Sequence, residues 1–170
     1  MKTLIYTALA ASLLWACQDR EDAAQPSDLT GNESSYALMA GSDYPVSGTV
    51  TFKEKKDGTT QINIALTGTD GSLQMPVHLH MGNTGAPDAD VAAFLTPVAS
   101  RTGVSETLLK QLGDETPITY AQLIALNACI KIHLAEAGPD KNTIIAAGDI
   151  GKAAESANSG RLGVSVCKSE

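Results

Sequence analysis

The strongest candidates for functional residues in this sequence are its three histidines, His78, His80 and His133. His78 and His80 stand two positions apart, so in a β-strand both imidazoles leave the same side of the backbone. The residues that alternate with the histidines in 75–81 and 129–134 are apolar and would face the core. All three imidazoles are therefore predicted to face away from the core. If the two strands are neighbours, three neutral imidazole nitrogens could meet there, a ligand set suited to copper or zinc.

A second interpretation of the same histidines stays open. An outward-facing histidine on a strand is often a solvated side chain, or it donates a hydrogen bond to a loop carbonyl and braces that loop. Clustered titratable groups mark functional sites in some proteins and structural networks in others. The sequence therefore supports a three-histidine metal site with copper as the candidate cofactor, and beside it a structural role that needs no cofactor.

The composition excludes several classes of protein. The chain has 170 residues, of which 43% are apolar and 18% charged, and this fits one domain of ordinary size. Twelve Lys and Arg against nineteen Asp and Glu give a formal charge of −7. This balance argues against a nucleic-acid partner, because phosphate binding needs clustered cations. The three cysteines are too far apart for a structural zinc site, and no hydrolase or phosphate-binding motif is present.

The first seventeen residues predict an export signal. Met1 and Lys2 give a charged start, followed by an apolar stretch too short to serve comfortably as a membrane span. The stretch ends at Ala16-Cys17 and then turns polar, which resembles a bacterial lipoprotein signal whose cysteine becomes lipidated. Residues 1–17 are thus expected to be this signal, with Cys17 anchoring the protein to a membrane of the bacterial cell envelope, on its periplasmic face or at the cell surface. The alternatives are a secretory signal followed by an ordinary cysteine, or a short buried helix.

Export would place the remaining cysteines in an oxidising compartment. Once Cys17 is lipidated, Cys129 and Cys167 are left as an even pair. A disulfide between them is the expected assignment. The alternative is two unpaired buried thiols.

The rest of the chain divides into a tether and one domain. Residues 18–44 are rich in Asp, Glu, Ser, Asn and Gly and are predicted to form a flexible tether, in which only 36–40 could add an edge element. Residues 45–170 are the predicted domain, with an all-β fold and short helices in its connections. Period-two alternation predicts a hairpin of strands at 46–53 and 62–66, and further strands at 75–81, 91–95, 129–134, 143–147 and 161–167. Helical spacing behind good N-caps predicts short helices at 105–112 and 119–126.

Short motifs within this domain resemble a known fold. The motifs are Val46–Phe52, the Asp57-Gly58 turn, the H-x-H-x-G segment of His78, His80 and Gly82, and a helix-then-strand run from Thr119 to His133. In this order they resemble the opening of the copper/zinc superoxide dismutase fold and of its relative, the chordin-type (CHRD) domain, which is the closer match. The likeness covers about residues 46–151 and implies a Greek-key β-sandwich or barrel.

The resemblance also implies roles for individual residues. In superoxide dismutases the H-x-H pair and a late strand histidine bind copper, so it places that role on His78, His80 and His133. Arg161 resembles the arginine that guides superoxide in those enzymes and is the candidate catalytic residue. The fourth copper histidine and the zinc-binding histidines of that family have no counterpart, because this chain has no further histidine.

Two functions follow from the resemblance as expectations. The first is a non-catalytic CHRD-type binding or scaffold module with a three-histidine metal site, and the incomplete catalytic set favours it. The alternative is a copper-dependent protein similar to superoxide dismutase, which dismutes superoxide or sequesters copper. The expected partner is a membrane, through the N-terminal lipid, and the sequence indicates no particular protein or small-molecule partner.

Overall fold

The computed structural model describes residues 27–86 and 89–157, and these form a closed barrel of antiparallel strands. The order around the barrel is β1-β2-β3-β6-β5-β4-β7-β8, so the chain crosses over between β3 and β4 and again between β6 and β7. This Greek-key arrangement confirms the predicted all-β fold. The strands are β1 (Leu29–Ala40), β2 (Ser47–Lys55), β3 (Thr60–Thr67), β4 (Gln74–Met81), β5 (Val91–Ala99), β6 (Val104–Leu109), β7 (Asn127–His133) and β8 (Ile144–Gly151). The connections hold two short α-helices, α1 (Tyr120–Leu123) and α2 (Lys152–Ala157), and a 3₁₀ turn at Pro139–Asn142.

Alternating apolar residues fill the barrel interior. Along β3, Ile62, Ile64 and Leu66 are buried while their neighbours are more exposed, as period-two alternation predicts. The predicted hairpin of β2 and β3 is confirmed, and the Asp57 carboxylate accepts the Thr59 N–H in its turn at 2.9 Å. Side chains from every part of the barrel complete the core, among them Leu38, Val50, Phe52, Val77, Leu79, Leu95, Val98, Ile130, Ile132 and Ile150.

The predicted tether was wrong for residues 29–35, which form β1 together with the possible strand element at 36–40. This strand pairs with β2 over most of its length and closes the barrel by pairing Met39 with Ala147 of β8. A strand of this barrel needs apolar side chains on its inner face only, and Leu38 with part of Tyr36 is enough here. Exposed polar side chains such as Glu33 and Ser35 lie on the opposite side of β1 from Leu38, while Ser34 shares the side of Leu38 and hydrogen-bonds the Tyr120 hydroxyl at 2.9 Å.

Of the two predicted helices, one is wrong and one is confirmed in shortened form. Residues 104–109 form β6, which pairs with β3, and the helical spacing of its leucines was coincidental. Around Thr119 the structure has the predicted N-cap, with a capping box in which Thr119 and Gln122 bond each other's backbone N–H. The helix that follows, α1, is only four residues long.

Several predictions fall on residues that the structure does not describe. The export signal with Cys17, residues 18–26 of the tether, the strand at 161–167, Arg161 and Cys167 all lie outside 27–86 and 89–157. Within the described ranges, none of the helices has the length and apolar character needed to cross a membrane.

Candidate metal centre

The pairing of β4 with β7 brings the three histidines onto one face. His78 pairs with Lys131 and His80 with Cys129, so the outer positions of the two strands face the same way. His133 follows Lys131 by two residues on β7 and therefore lies on that face as well. The prediction that all three imidazoles point away from the core is confirmed. Of the two structural alternatives, the hydrogen bond to a loop carbonyl is the one found, for His80 and His133, which are buried, while His78 is partly exposed.

The three rings lie close together. The ring centroids of His78 and His133 are 4.6 Å apart, those of His78 and His80 5.7 Å, and those of His80 and His133 6.2 Å. One ring nitrogen from each histidine can be chosen so that all three atoms lie within 4.8 Å of one another. Nitrogens that each bind one ion at about 2.0–2.1 Å must be separated by no more than about 4 Å, so binding of an ion would draw the three rings slightly closer together.

Loop carbonyls fix the orientation of two of the rings. Nδ1 of His80 donates to the Ala89 carbonyl oxygen at 2.8 Å, and Nδ1 of His133 donates to the Lys141 carbonyl oxygen at 2.9 Å. A carbonyl oxygen can only accept, so in the neutral ring Nδ1 carries the proton and Nε2 carries the lone pair. Metal-binding histidines are held in the same way, with the second nitrogen donating to a carbonyl or carboxylate. In His80 and His133, Nδ1 therefore braces a loop while Nε2 carries the lone pair that a metal ion would bind. The two roles predicted for these histidines are compatible.

Nε2 of His133 is the clearest sign that the cluster is suited to a ligand. His133 is 3% exposed, and its Nε2 is buried with no hydrogen-bond partner among the described residues. Leaving a buried acceptor unsatisfied costs about 1–3 kcal/mol. Binding of a metal ion by this lone pair would remove that cost.

Burial keeps the three imidazoles neutral. Burial, followed by repulsion from His133 and His80, lowers the pKa of His78 to about 4. Burial also lowers the pKa of His80 and of His133, against the hydrogen bonds to Ala89 and Lys141, which act in the opposite direction. A neutral imidazole is the form that binds metal, so at neutral pH no proton has to be removed before binding.

Two connections cover the cluster. The connection from β4 to β5 is held to the barrel by Asp149 of β8, whose Oδ1 accepts the Thr84 N–H at 2.6 Å. The same connection supplies the Ala89 carbonyl to His80. The connection from β7 to β8 supplies the Lys141 carbonyl to His133. Each of the two connections therefore contains a backbone carbonyl that accepts a hydrogen bond from a ring of the site.

His78 is the most accessible of the three histidines. It is partly exposed, whereas His80 and His133 are buried. Its ring meets the edge of Phe94 on the adjacent strand β5, with centroids 4.9 Å apart and planes at 84°. Phe94 is 68% exposed. An ion or small molecule would therefore reach the cluster past His78 and Phe94.

Two residues of the site had roles that the sequence did not reveal. Lys131 is completely buried, and its Nζ donates to the Ala86 carbonyl oxygen at 3.4 Å. The alternation in β7 placed it correctly on the outer face, but the loop that covers it could not be read from that pattern. Asp149 lies on β8 opposite Cys129 and anchors the covering loop.

The cysteine and arginine predictions stay predictions. Cys129 is fully buried on β7, directly across from His80. Its proposed disulfide partner Cys167 lies outside the described residues, as do Arg161 and Cys17.

Chemically, the cluster is a set of three neutral nitrogen donors. Among the described residues, the group that could hold an ion consists of His78, His80 and His133 alone. Three protein ligands leave a fourth position for water or another small ligand, as in catalytic rather than structural zinc sites. Comparison of the chain with protein-family models and with curated proteins finds no match.

Proposed function

We propose that this protein is a non-catalytic metal-binding module of the bacterial cell envelope, with copper as the ion held by His78, His80 and His133. Two observations carry the proposal: one ring nitrogen from each histidine lies within 4.8 Å of the other two, and Nε2 of His133 is buried without a partner among the described residues. Hydrogen-bonded Nδ1 atoms on two of the three rings support it. Rings that served only to brace loops would not need to bring one nitrogen from each of the three this close together.

Copper is favoured over other ions by the donor set. Imidazole nitrogen suits copper, zinc, iron and nickel, while Mg²⁺, Ca²⁺ and Mn²⁺ prefer oxygen. Among divalent first-row ions, nitrogen sites bind Cu²⁺ most tightly. A bound copper ion would supply redox chemistry, and the protein's own contribution is to hold three oriented imidazoles in a site largely closed to water.

A relationship to CHRD and superoxide dismutase domains is part of the proposal. The support is an eight-stranded Greek-key barrel with the H-x-H pair on β4 and the third histidine on the neighbouring strand β7. A fold does not carry a function with it, so the relationship supports the placement of the site and not an activity.

The envelope location is proposed from the N-terminal sequence. The Ala16-Cys17 sequence after an apolar stretch supports lipidation of Cys17, and residues 18–28 would separate the lipid from β1. Metabolic labelling with a lipid precursor tests this step. Label should appear in the wild type and be lost in Cys17→Ser, and an unlabelled wild type would contradict it.

Superoxide dismutation is the second candidate function. The partial exposure of His78 and the open fourth position favour it, because a small molecule could reach a bound ion. The formal charge of −7 disfavours it, since a negative protein repels an anionic substrate unless a local positive field guides it. Measurement of superoxide turnover by the copper-loaded protein tests this second function. The Arg161→Ala variant tests the candidate catalytic residue.

Copper titration followed by electron paramagnetic resonance tests the metal site itself. We expect one equivalent of Cu(II) to give a signal with nitrogen hyperfine structure that is lost in His80→Ala. A matched control is Thr60→Ala, which also truncates a fully buried polar residue, but on β3. Absence of binding at micromolar copper would contradict the proposal, and so would an unchanged signal in His80→Ala.

A further inference from the structure

Lys131 occupies the centre of the face that carries the three histidines. It pairs directly with His78 across β4 and β7, and it stands two residues before His133 on β7. His80 pairs with Cys129 and is therefore the diagonal neighbour of Lys131. Directly paired side chains have Cβ atoms about 5 Å apart, and diagonal neighbours about 7–8 Å. The Cβ atom of each of the three histidines therefore lies close to that of Lys131.

The ammonium group of Lys131 is kept inside the protein. The residue is 0% exposed, and its Nζ contacts the Ala86 carbonyl oxygen in the loop that covers the site. Lysine is almost never fully buried, because removing its charge from water is costly. The charge is also felt at the rings, since Lys131 contributes to the lowered pKa of both His80 and His133.

We propose that Lys131 selects the charge of the bound ion, so that the site prefers Cu(I) to Cu(II) and to Zn(II). The inference rests on the proposed function, because it concerns the same three-histidine site. Repulsion between the ammonium and the ion is proportional to the ion's charge, and it is twice as large for a divalent ion as for a monovalent one. Three neutral imidazoles add no negative charge that would offset this difference. Burial strengthens the repulsion, because the effective dielectric constant is lower inside the barrel wall than in water.

The preference follows from the position of the positive charge and not from the other contacts of the ammonium group. Replacing Lys131 by Met removes one unit of positive charge beside the rings, whichever groups the ammonium also meets. A divalent ion gains more from that removal than a monovalent ion does. Replacing Lys131 by Arg keeps the charge and should keep the preference.

The test compares three ions in four proteins. Dissociation constants for Cu(I), Cu(II) and Zn(II) are measured by competition with chelators of known affinity, for the wild type, Lys131→Met, Lys131→Arg and Lys152→Met. Lys152 is the matched control, since it is exposed in α2. In Lys131→Met we expect the preference for Cu(I) over both divalent ions to fall by about tenfold or more, and a tenfold fall lowers the reduction potential of bound copper by about 59 mV. The preference should be unchanged in the arginine and Lys152 variants.

The possible results separate this inference from the function on which it rests. If the wild type binds none of the three ions at micromolar concentration, the proposed function fails and the inference fails with it. If the wild type binds copper but Lys131→Met changes all three constants by the same factor, the inference alone is overturned. Far-UV circular dichroism establishes that the variants fold, and Lys131→Gln, which keeps a polar group for Ala86, replaces the Met variant if that one does not.

Discussion

The ring of His133 donates its Nδ1 proton to the backbone carbonyl oxygen of Lys141 at 2.9 Å, while its Nε2 is buried without a partner in the described part of the chain. The hydrogen bond to Lys141 fixes the tautomer and the ring plane, and the unpartnered Nε2 leaves a lone pair that can bind a metal ion. Bound metal should therefore stabilise the fold. At a free copper concentration one hundred times the dissociation constant, the free energy of unfolding should rise by about 2.7 kcal/mol. Thermal melts with and without copper measure this, and His133→Gln should abolish most of the increase. An equal increase in both proteins would show that copper binds elsewhere.

The lowered pKa values of the three histidines predict how stability changes with pH. In the unfolded chain a histidine has a pKa of about 6.5, whereas burial lowers the folded pKa, to about 4 for His78. Between these values the unfolded state binds more protons than the folded state, so the free energy of unfolding must fall as the pH is lowered from about 6.5 toward 4. Chemical denaturation of the metal-free protein at several pH values measures the slope. A variant with all three histidines changed to Gln should show a smaller slope over the same interval, and equal slopes would contradict the explanation.

Asp149 is predicted to position the site without touching the ion. Its carboxylate holds Thr84, and the same connection carries the Ala89 carbonyl that orients His80. Removing such a supporting contact commonly lowers metal affinity about 10-fold to 100-fold. We expect Asp149→Ala to have an effect of this size in a copper titration. Asp114→Ala is the control, because Asp114 likewise accepts a backbone N–H, from Thr116, in a loop that supplies no contact to the rings. Equal losses in the two variants would show that the effect is general destabilisation.

Gly148 is predicted to be needed for closure of the barrel. A Cβ at this position in β8 would overlap the backbone oxygen of Ala37 in β1. Overpacking of this kind typically costs about 1–3 kcal/mol, and here the obstacle is backbone, which cannot rotate away. Gly148→Ala should therefore lower the denaturation midpoint markedly. In Gly113→Ala the nearest atom outside its neighbours is the Ala92 oxygen at 3.3 Å, so a smaller loss is expected. If both variants unfold at the same denaturant concentration, that result would contradict the close packing of Gly148 in β8 against Ala37 in β1.

The sequence predicted those parts of the structure that depend on local alternation. The hairpin of β2 and β3 and the strands that carry the histidines follow from period-two patterns with one apolar face. The sequence did not predict residues 29–35 of β1, because polar residues dominate there and the buried Leu38, with the half-buried Tyr36, comes only near the end of the strand. It also failed for β6, whose leucines happen to match a helical spacing although Thr107 and Glu106 lie in a strand paired with β3.

The candidate site could be predicted only in part for a physical reason. The alternation of residues in β4 and β7 determines which way His78, His80 and His133 point, and it needs no knowledge of the rest of the fold. The burial of Lys131, the carbonyl partners of the rings and the anchoring contact of Asp149 depend on the path of two covering loops. Loop paths are set by tertiary packing and leave no periodic signal in the sequence.

Whether the three histidines share one ion is best measured by nuclear magnetic resonance of protein labelled with [¹⁵N]histidine, because this method observes each ring nitrogen separately. In the metal-free protein, His80 and His133 should show a proton on Nδ1 and none on Nε2. Addition of Cu(I), which is diamagnetic, should shift one nitrogen of every histidine, with all three shifts complete at one equivalent. A result in which one ring keeps its resonance, or in which the rings respond at different copper concentrations, would contradict a single ion shared by His78, His80 and His133.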